Sequence, residues 1–126
     1  MEIIFVCTKA ITFNTFLKSQ ANYFLKNGFK VTVACSDIEN LDHRSNHNHR
    51  ITFPTKLVHL FNIFQYLKIF LQIKNLIKKN KSSIFYLHTP VASHLFRLFS
   101  ISHSLKIIYL VHGFRFTSQT KFLRAF

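Results

Sequence analysis

The sequence predicts an α/β domain of the Rossmann-like kind, a mostly parallel, doubly wound sheet. Three observations predict it. A short, continuous apolar run at residues 3–7 is followed by strand-like segments at 30–35, 83–87 and 105–111, as in a sheet whose strands are covered on both faces. Stretches with helical spacing separate them, and strands alternating with helices build parallel sheets. The opening strand, helix and strand fit within about 35 residues, by default a right-handed βαβ unit.

Each element follows in order. Residues 3–7 form the first strand. Residues 13–27 place Phe13, Phe16, Leu17, Ala21, Phe24 and Leu25 on one side of a helix, and Asn27-Gly28 signals its end. Residues 30–35 form the second strand. Residues 36–50 are polar and rich in Asn and His, as a surface loop is. Residues 51–53 make a short third strand stopped by Pro54. Residues 57–79 carry the longest helical pattern, with a polar stripe at Gln65, Lys68, Gln72, Asn75 and Lys79. Lys68, Gln72 and Lys74 interrupt it, so a buried or interfacial helix is expected rather than a membrane span. Residues 83–87 form the fourth strand, followed by His88-Thr89-Pro90 and a helix over 92–101. The fifth strand, 105–111, runs into His112-Gly113-Phe114, and residues 119–126 start a helical segment with no stop signal. No internal repeat or linker divides the chain, so residues 1–126 are one domain.

Composition narrows the chemistry. The four carboxylates are Glu2, Asp37, Glu39 and Asp42, and none follows residue 42. The net charge of +13 therefore lies in residues 43–126. Such a surface attracts phosphates, acidic lipid headgroups or nucleic acid. No carboxylate pair can be built beyond residue 42, which strongly disfavours a glycoside hydrolase with two acids. No Gly-x-Gly-x-x-Gly follows the first strand and no Gly-x4-Gly-Lys exists, which disfavours NAD-dependent dehydrogenases and P-loop enzymes. Cys7 and Cys35 lie in strand-like runs without CxxC spacing, as small buried residues in a reducing compartment do. Met1-Glu2 leads straight into a strand without a basic leader, which points to the cytoplasm.

Ligands of open α/β sheets bind outside the carboxyl ends of the strands, near the switch point. Three loops meet that description: Thr8 to Thr12, His88 to Pro90, and His112 to Thr117. Gly113 lets the backbone turn sharply. His112 can bond a hydroxyl or phosphate, or move a proton near neutrality; the plainer alternative is a turn with an incidental His. Thr89 and Pro90 suit the cap and first turn of the following helix, and His88 either lines the crevice or packs. Lys9 and the helix start near Phe13 can meet an anionic or sugar ligand, or Lys9 is merely solvated. His43, His47 and His49 sit in the polar loop beside Asp42, and a solvated loop is the expectation there rather than a metal site. Arg115, Lys121 and Arg124 interleave with Phe114, Phe116, Phe122 and Phe126, a pattern for a solvated face or an acidic membrane surface. Base stacking is the weaker alternative, and no recognised motif makes nucleic acid an expected partner.

Residues 3–7 with the helix after them, Gly28 through Cys35, His88-Thr89-Pro90, and residues 107–111 with His112-Gly113-Phe114-Arg115-Phe116 occur in an order that resembles a known family. It is that of the N-terminal domains of family 4 glycosyltransferases of the GT-B fold, of the bacterial capsule, exopolysaccharide and O-antigen type. The resemblance spans nearly the whole chain. It implies a sugar-nucleotide donor, a lipid-linked or saccharide acceptor, and configuration-retaining transfer that usually needs no metal or other cofactor. It places His112 against the donor sugar. It assigns Thr8, Lys9, Thr12, His88 and Thr89 to the acceptor side, with Gly113, Phe114 and Arg115 also binding substrate. It also implies a second, donor-binding domain whose basic pair and Glu-x7-Glu-like motif do not occur in residues 1–126. The chain alone is therefore expected to turn over little or nothing. The competing expectation is a non-enzymatic, basic domain that binds a membrane surface or a partner.

Overall fold

The computed structural model describes residues 1–42, 48–54 and 63–110. Among these residues five strands form one sheet: β1 (Glu2–Val6), β2 (Lys30–Cys35), β3 (His49–Arg50), β4 (Ile84–Leu87) and β5 (Lys106–Tyr109). Their order is β3-β2-β1-β4-β5, and every pair is parallel. The Rossmann-like, doubly wound prediction therefore holds. The chain leaves β1 toward β2 on one side and later returns to β4 on the other. The switch point thus falls between the carboxyl ends of β1 and β4.

Both faces of the central strands are covered, which explains their mostly apolar sequences. Alternation along β1 sends Ile3, Phe5 and Cys7 to one face and Ile4 and Val6 to the other. The first face packs under a helix we call α1, residues 10–26, through Phe13, Leu17 and Ala21. The second packs under α2 (Ile63–Lys79) and α3 (Pro90–Phe99), through Ile69, Ile73, Leu76, Ile77, Leu95 and Phe96. Phe85 and Phe96 join strand to helix with ring centroids 4.9 Å apart.

The helix start and phase differ from the sequence reading. α1 begins at Ala10, three residues before Phe13, and contains a wide π segment, Phe13–Leu17, before Lys18–Lys26 resumes as α-helix. The amide of Lys18 bonds the carbonyl of Phe13. A wider turn spends an extra residue per revolution. It keeps Phe13, Leu17 and Ala21 on the sheet but turns Phe16 outward, 64% exposed. Leu25 is also exposed rather than in the core.

The end of α1 follows its signal. Gly28 has φ +84°. Its amide bonds Leu25 O, and the Phe29 amide bonds Phe24 O, the paired bonds of a Schellman motif. Phe24 and Phe29 pack edge to face across it, 5.6 Å apart.

The third strand lies two residues earlier than expected. His49 and Arg50 pair with Ala34 and Cys35, so His49 belongs to the sheet edge and not to a solvated loop. Residues 51–53 still follow the sheet: the Ile51 amide bonds Cys35 O, and Ile51 and Phe53 are buried. Gln72 explains the end of pairing, since its Oε1 accepts from the Thr52 amide at 3.0 Å and from its hydroxyl at 3.2 Å. One member of the polar stripe is thus a structural tie. His43, His47 and residues 57–62 lie outside the described residues. Among the described residues no helix is long and apolar enough to cross a membrane, and no metal-ligating cluster is gathered.

Cys7 and Cys35 are buried free thiols. Their mutual hydrogen bond and burial push Cys7 well above the usual thiol range. Accepting that same bond lowers Cys35, against its own burial. Neither is a surface nucleophile.

Candidate functional site

The carboxyl edge of the sheet is built from the ends of β1, β2 and β4. Thr8 follows β1, and Thr89 follows β4 by two residues. Their hydroxyls meet at 2.8 Å although the residues are 81 apart in sequence. They bridge the switch point directly.

Thr89 carries φ +61°, rare for a β-branched residue. It precedes α3, whose first residue is Pro90, yet no side chain caps that helix. The expected capping role of Thr89 therefore gives way to the bond with Thr8. Backbone strain held by surrounding structure concentrates at ligand sites, and this residue projects a hydroxyl there. Ser93 steadies the turn, its hydroxyl donating to His88 O at 3.1 Å.

The Thr8 loop is braced from β2 by residues the sequence reading did not single out. Ser36 Oγ donates to Thr8 O at 2.7 Å. Asp37 Oδ1 accepts the Ala10 amide at 2.7 Å. The signal lay in Cys35-Ser36-Asp37, the first polar residues past a buried strand at the same edge. Asp37 has a chemical consequence. It places a carboxylate at the start of α1, where the sequence allows an anionic or a sugar ligand or a merely solvated Lys9. A phosphate is disfavoured there, and neutral hydroxyl groups are not.

The other carboxylates are engaged elsewhere. Glu2 lies at the amino edge, accepting from Thr32 at 2.8 Å and Ser83 at 3.1 Å. Glu39 pairs with Arg50 at 2.6 Å and Asp42 with Lys18 at 3.2 Å.

Among the predicted site residues, Thr8 and Thr89 converge. Lys9 is exposed and extended at the start of α1. Thr12 is half-buried in the first turn, its amide bonded to Lys9 O. His88 differs from the crevice-lining role. It is fully buried, stacked on Phe5 at 5.6 Å and edge-on to Tyr86 at 4.4 Å. The alternation of β4 turns it toward the α1 side of the sheet, where an imidazole fills space between two rings. Burial also raises the Tyr86 phenol. His112, Gly113, Phe114 and Arg115 lie outside the described residues.

The fold is thus a Rossmann-like sheet with paired hydroxyls at its switch point and without a glycine-rich phosphate loop after its first strand. The family model described as glycosyl transferase 4-like matches residues 3–126, and the chain belongs to that family. Glycosyl transfer, with a sugar donor and an acceptor, is the chemistry of the family. No curated protein and no solved structure matches the chain.

Proposed function

We propose that this chain is the acceptor-side domain of a glycosyltransferase that moves a sugar from a sugar nucleotide to a lipid-linked or saccharide acceptor. The pathway is the assembly of cell-surface polysaccharide of the capsule, exopolysaccharide or O-antigen type, at the inner face of the plasma membrane. The observation that carries this reading is the Thr8–Thr89 hydroxyl pair at the switch point, 2.8 Å apart. Hydroxyls both donate and accept, so the pair can open to bond a sugar hydroxyl without leaving a charge unpaired. Asp37 at the start of α1 disfavours a phosphate in the same loop. Diphosphate binding is accordingly assigned to a second domain, and residues 1–126 alone turn over little. His112 is the residue assigned to the donor sugar.

The test is a kinetic split. Thr8→Val with Thr89→Val keeps shape and removes both hydroxyls. In an enzyme complete with its donor-binding domain, the KM for acceptor should rise about tenfold, as loss of one or two neutral hydrogen bonds costs. The KM for the sugar nucleotide should stay within about twofold. An unchanged acceptor KM, or a rise confined to the donor, would refute the assignment.

A further inference from the structure

The chain has two cysteines, and the fold sets them opposite each other. The register of β1 on β2 pairs Val6 with Ala34, so Cys7 and Cys35 are the next opposed residues. The Cys7 amide continues the ladder to Ala34 O at 3.1 Å. Alternation sends both side chains to the α1 face, fully buried in one apolar cluster. Opposed residues on neighbouring strands lie about 4.8 Å apart. A disulfide spans Cα separations of about 4.4–6.8 Å, so this pair can be joined with little backbone movement. The Cys7 S–H is in reach of the Cys35 sulfur and of Lys9 O at 3.5 Å.

The pair occupies a sensitive place. It lies one residue before Thr8 and Ser36. Ser36 holds Thr8 O with its amide at 3.2 Å and its hydroxyl at 2.7 Å. A covalent link between Cys7 and Cys35 therefore ties the strand ends that carry the Thr8 loop. It also closes β1, α1 and β2 into one covalent ring.

We propose that Cys7 and Cys35 are a thiol pair that hydrogen peroxide oxidises to an internal disulfide, locking β1 to β2 beside the Thr8 loop. Both sulfurs are buried, so the oxidant must be close to water in size. Cys35 reacts first. It ends β2 and is followed by half-buried Ser36, Asp37 and Ile38, whereas Cys7 is followed by the start of α1. The Cys7 thiol, and then the Asp37 amide, favour its thiolate against the cost of burial. The Cys35 sulfur attacks one peroxide oxygen and the O–O bond breaks. The hydroxide released takes the Cys35 proton and leaves as water, and Cys35 becomes a sulfenic acid. The Cys7 sulfur then attacks the Cys35 sulfur. The S–O bond breaks, the hydroxyl leaves with the Cys7 proton as a second water, and the S–S bond forms. Two thiols have lost two electrons, and the peroxide has gained them.

The experiment treats the reduced chain with hydrogen peroxide, blocks remaining thiols with N-ethylmaleimide in urea, and reads the product by mass spectrometry. No sugar is involved, so the outcome is independent of the acceptor assignment. Both thiols should disappear together, with the mass lower by two hydrogen atoms and the Cys7 and Cys35 peptides linked. Dithiothreitol should restore them. The urea midpoint of the oxidised chain should rise by about 1 M or more. Cys7→Ser should leave a sulfenic acid on Cys35 that dimedone traps, and Cys35→Ser should slow oxidation of Cys7 about tenfold or more. The wild-type product alone decides the matter should either variant fail to fold. Sulfinic acid on one cysteine without a link, disulfide-joined dimers of the chain, or a link formed only above the urea midpoint would overturn the proposal. So would thiols that survive peroxide sufficient to oxidise free cysteine.

Discussion

Phe5→Ala is expected to destabilise the fold by about 3–5 kcal/mol, the usual range for a fully buried phenylalanine. The ring has no exposed surface and lies on the central strand. It meets Phe13 edge to face at 5.7 Å, Phe24 at 6.2 Å, Tyr86 at 5.2 Å and His88 in a stack at 5.6 Å. Removing it opens a cavity where α1, β1 and β4 converge, beside both threonine loops. Domains of this size are stable by about 5–15 kcal/mol, so the loss is a large part of the whole. Urea denaturation is the measurement: the midpoint should fall sharply with little change in slope. Phe16→Ala is the matched control. Phe16 is 64% exposed, and its loss should cost within about 0.5 kcal/mol. Equal effects at Phe5 and Phe16 would contradict the π-turn phase of α1.

His112→Ala is expected to lower kcat of the complete enzyme about 10²–10³-fold, with the acceptor KM little changed. That is the usual cost of removing one preorganised donor from a site where charge develops. The residue follows the β5 run and falls within the family match over residues 3–126. In glycosyl transfer, charge builds on the sugar and on the departing diphosphate. A group contacting the donor sugar therefore acts on the transition state more than on acceptor binding. The pair of phenotypes separates the two walls of the cleft: the threonines move acceptor KM, and His112 moves kcat. An unchanged kcat/KM in His112→Ala would end its assignment.

Much of this molecule is legible in its sequence, and what is not has physical causes. The strands at 3–7, 30–35 and 83–87 show because cover on both faces favours apolar residues, with Thr32 and Ser83 as buried polar exceptions. Asn27-Gly28 announces the end of α1 because only a residue tolerant of positive φ closes that turn. The π segment is hidden, since Phe13, Phe16 and Leu17 fit an ordinary helix equally well and packing on the sheet decides. The shift of β3 to His49–Arg50 is hidden too, because Gln72, twenty residues away, captures the Thr52 amide. The edge bearing the site is predictable from topology alone. The Thr8–Thr89 contact is not, for it joins residues 81 apart through a backbone conformation no propensity favours. His88 shows the converse. A polar residue at a strand end suggests a ligand contact, and here the pleat directs it inward between Phe5 and Tyr86.

The central claim is that residues 1–126 form the acceptor wall of a glycosyl-transfer site whose donor wall is a second domain. Its most direct test follows transfer of a labelled sugar from a sugar nucleotide to a lipid-linked saccharide acceptor. Residues 1–126 are assayed first alone and then with a family 4 donor-binding domain supplied as the following polypeptide. The account predicts labelled acceptor only in the second case, with transfer lost when Thr8 and Thr89 are both valine at subsaturating acceptor. Robust transfer by residues 1–126 alone, or transfer indifferent to Thr8 and Thr89, would contradict it.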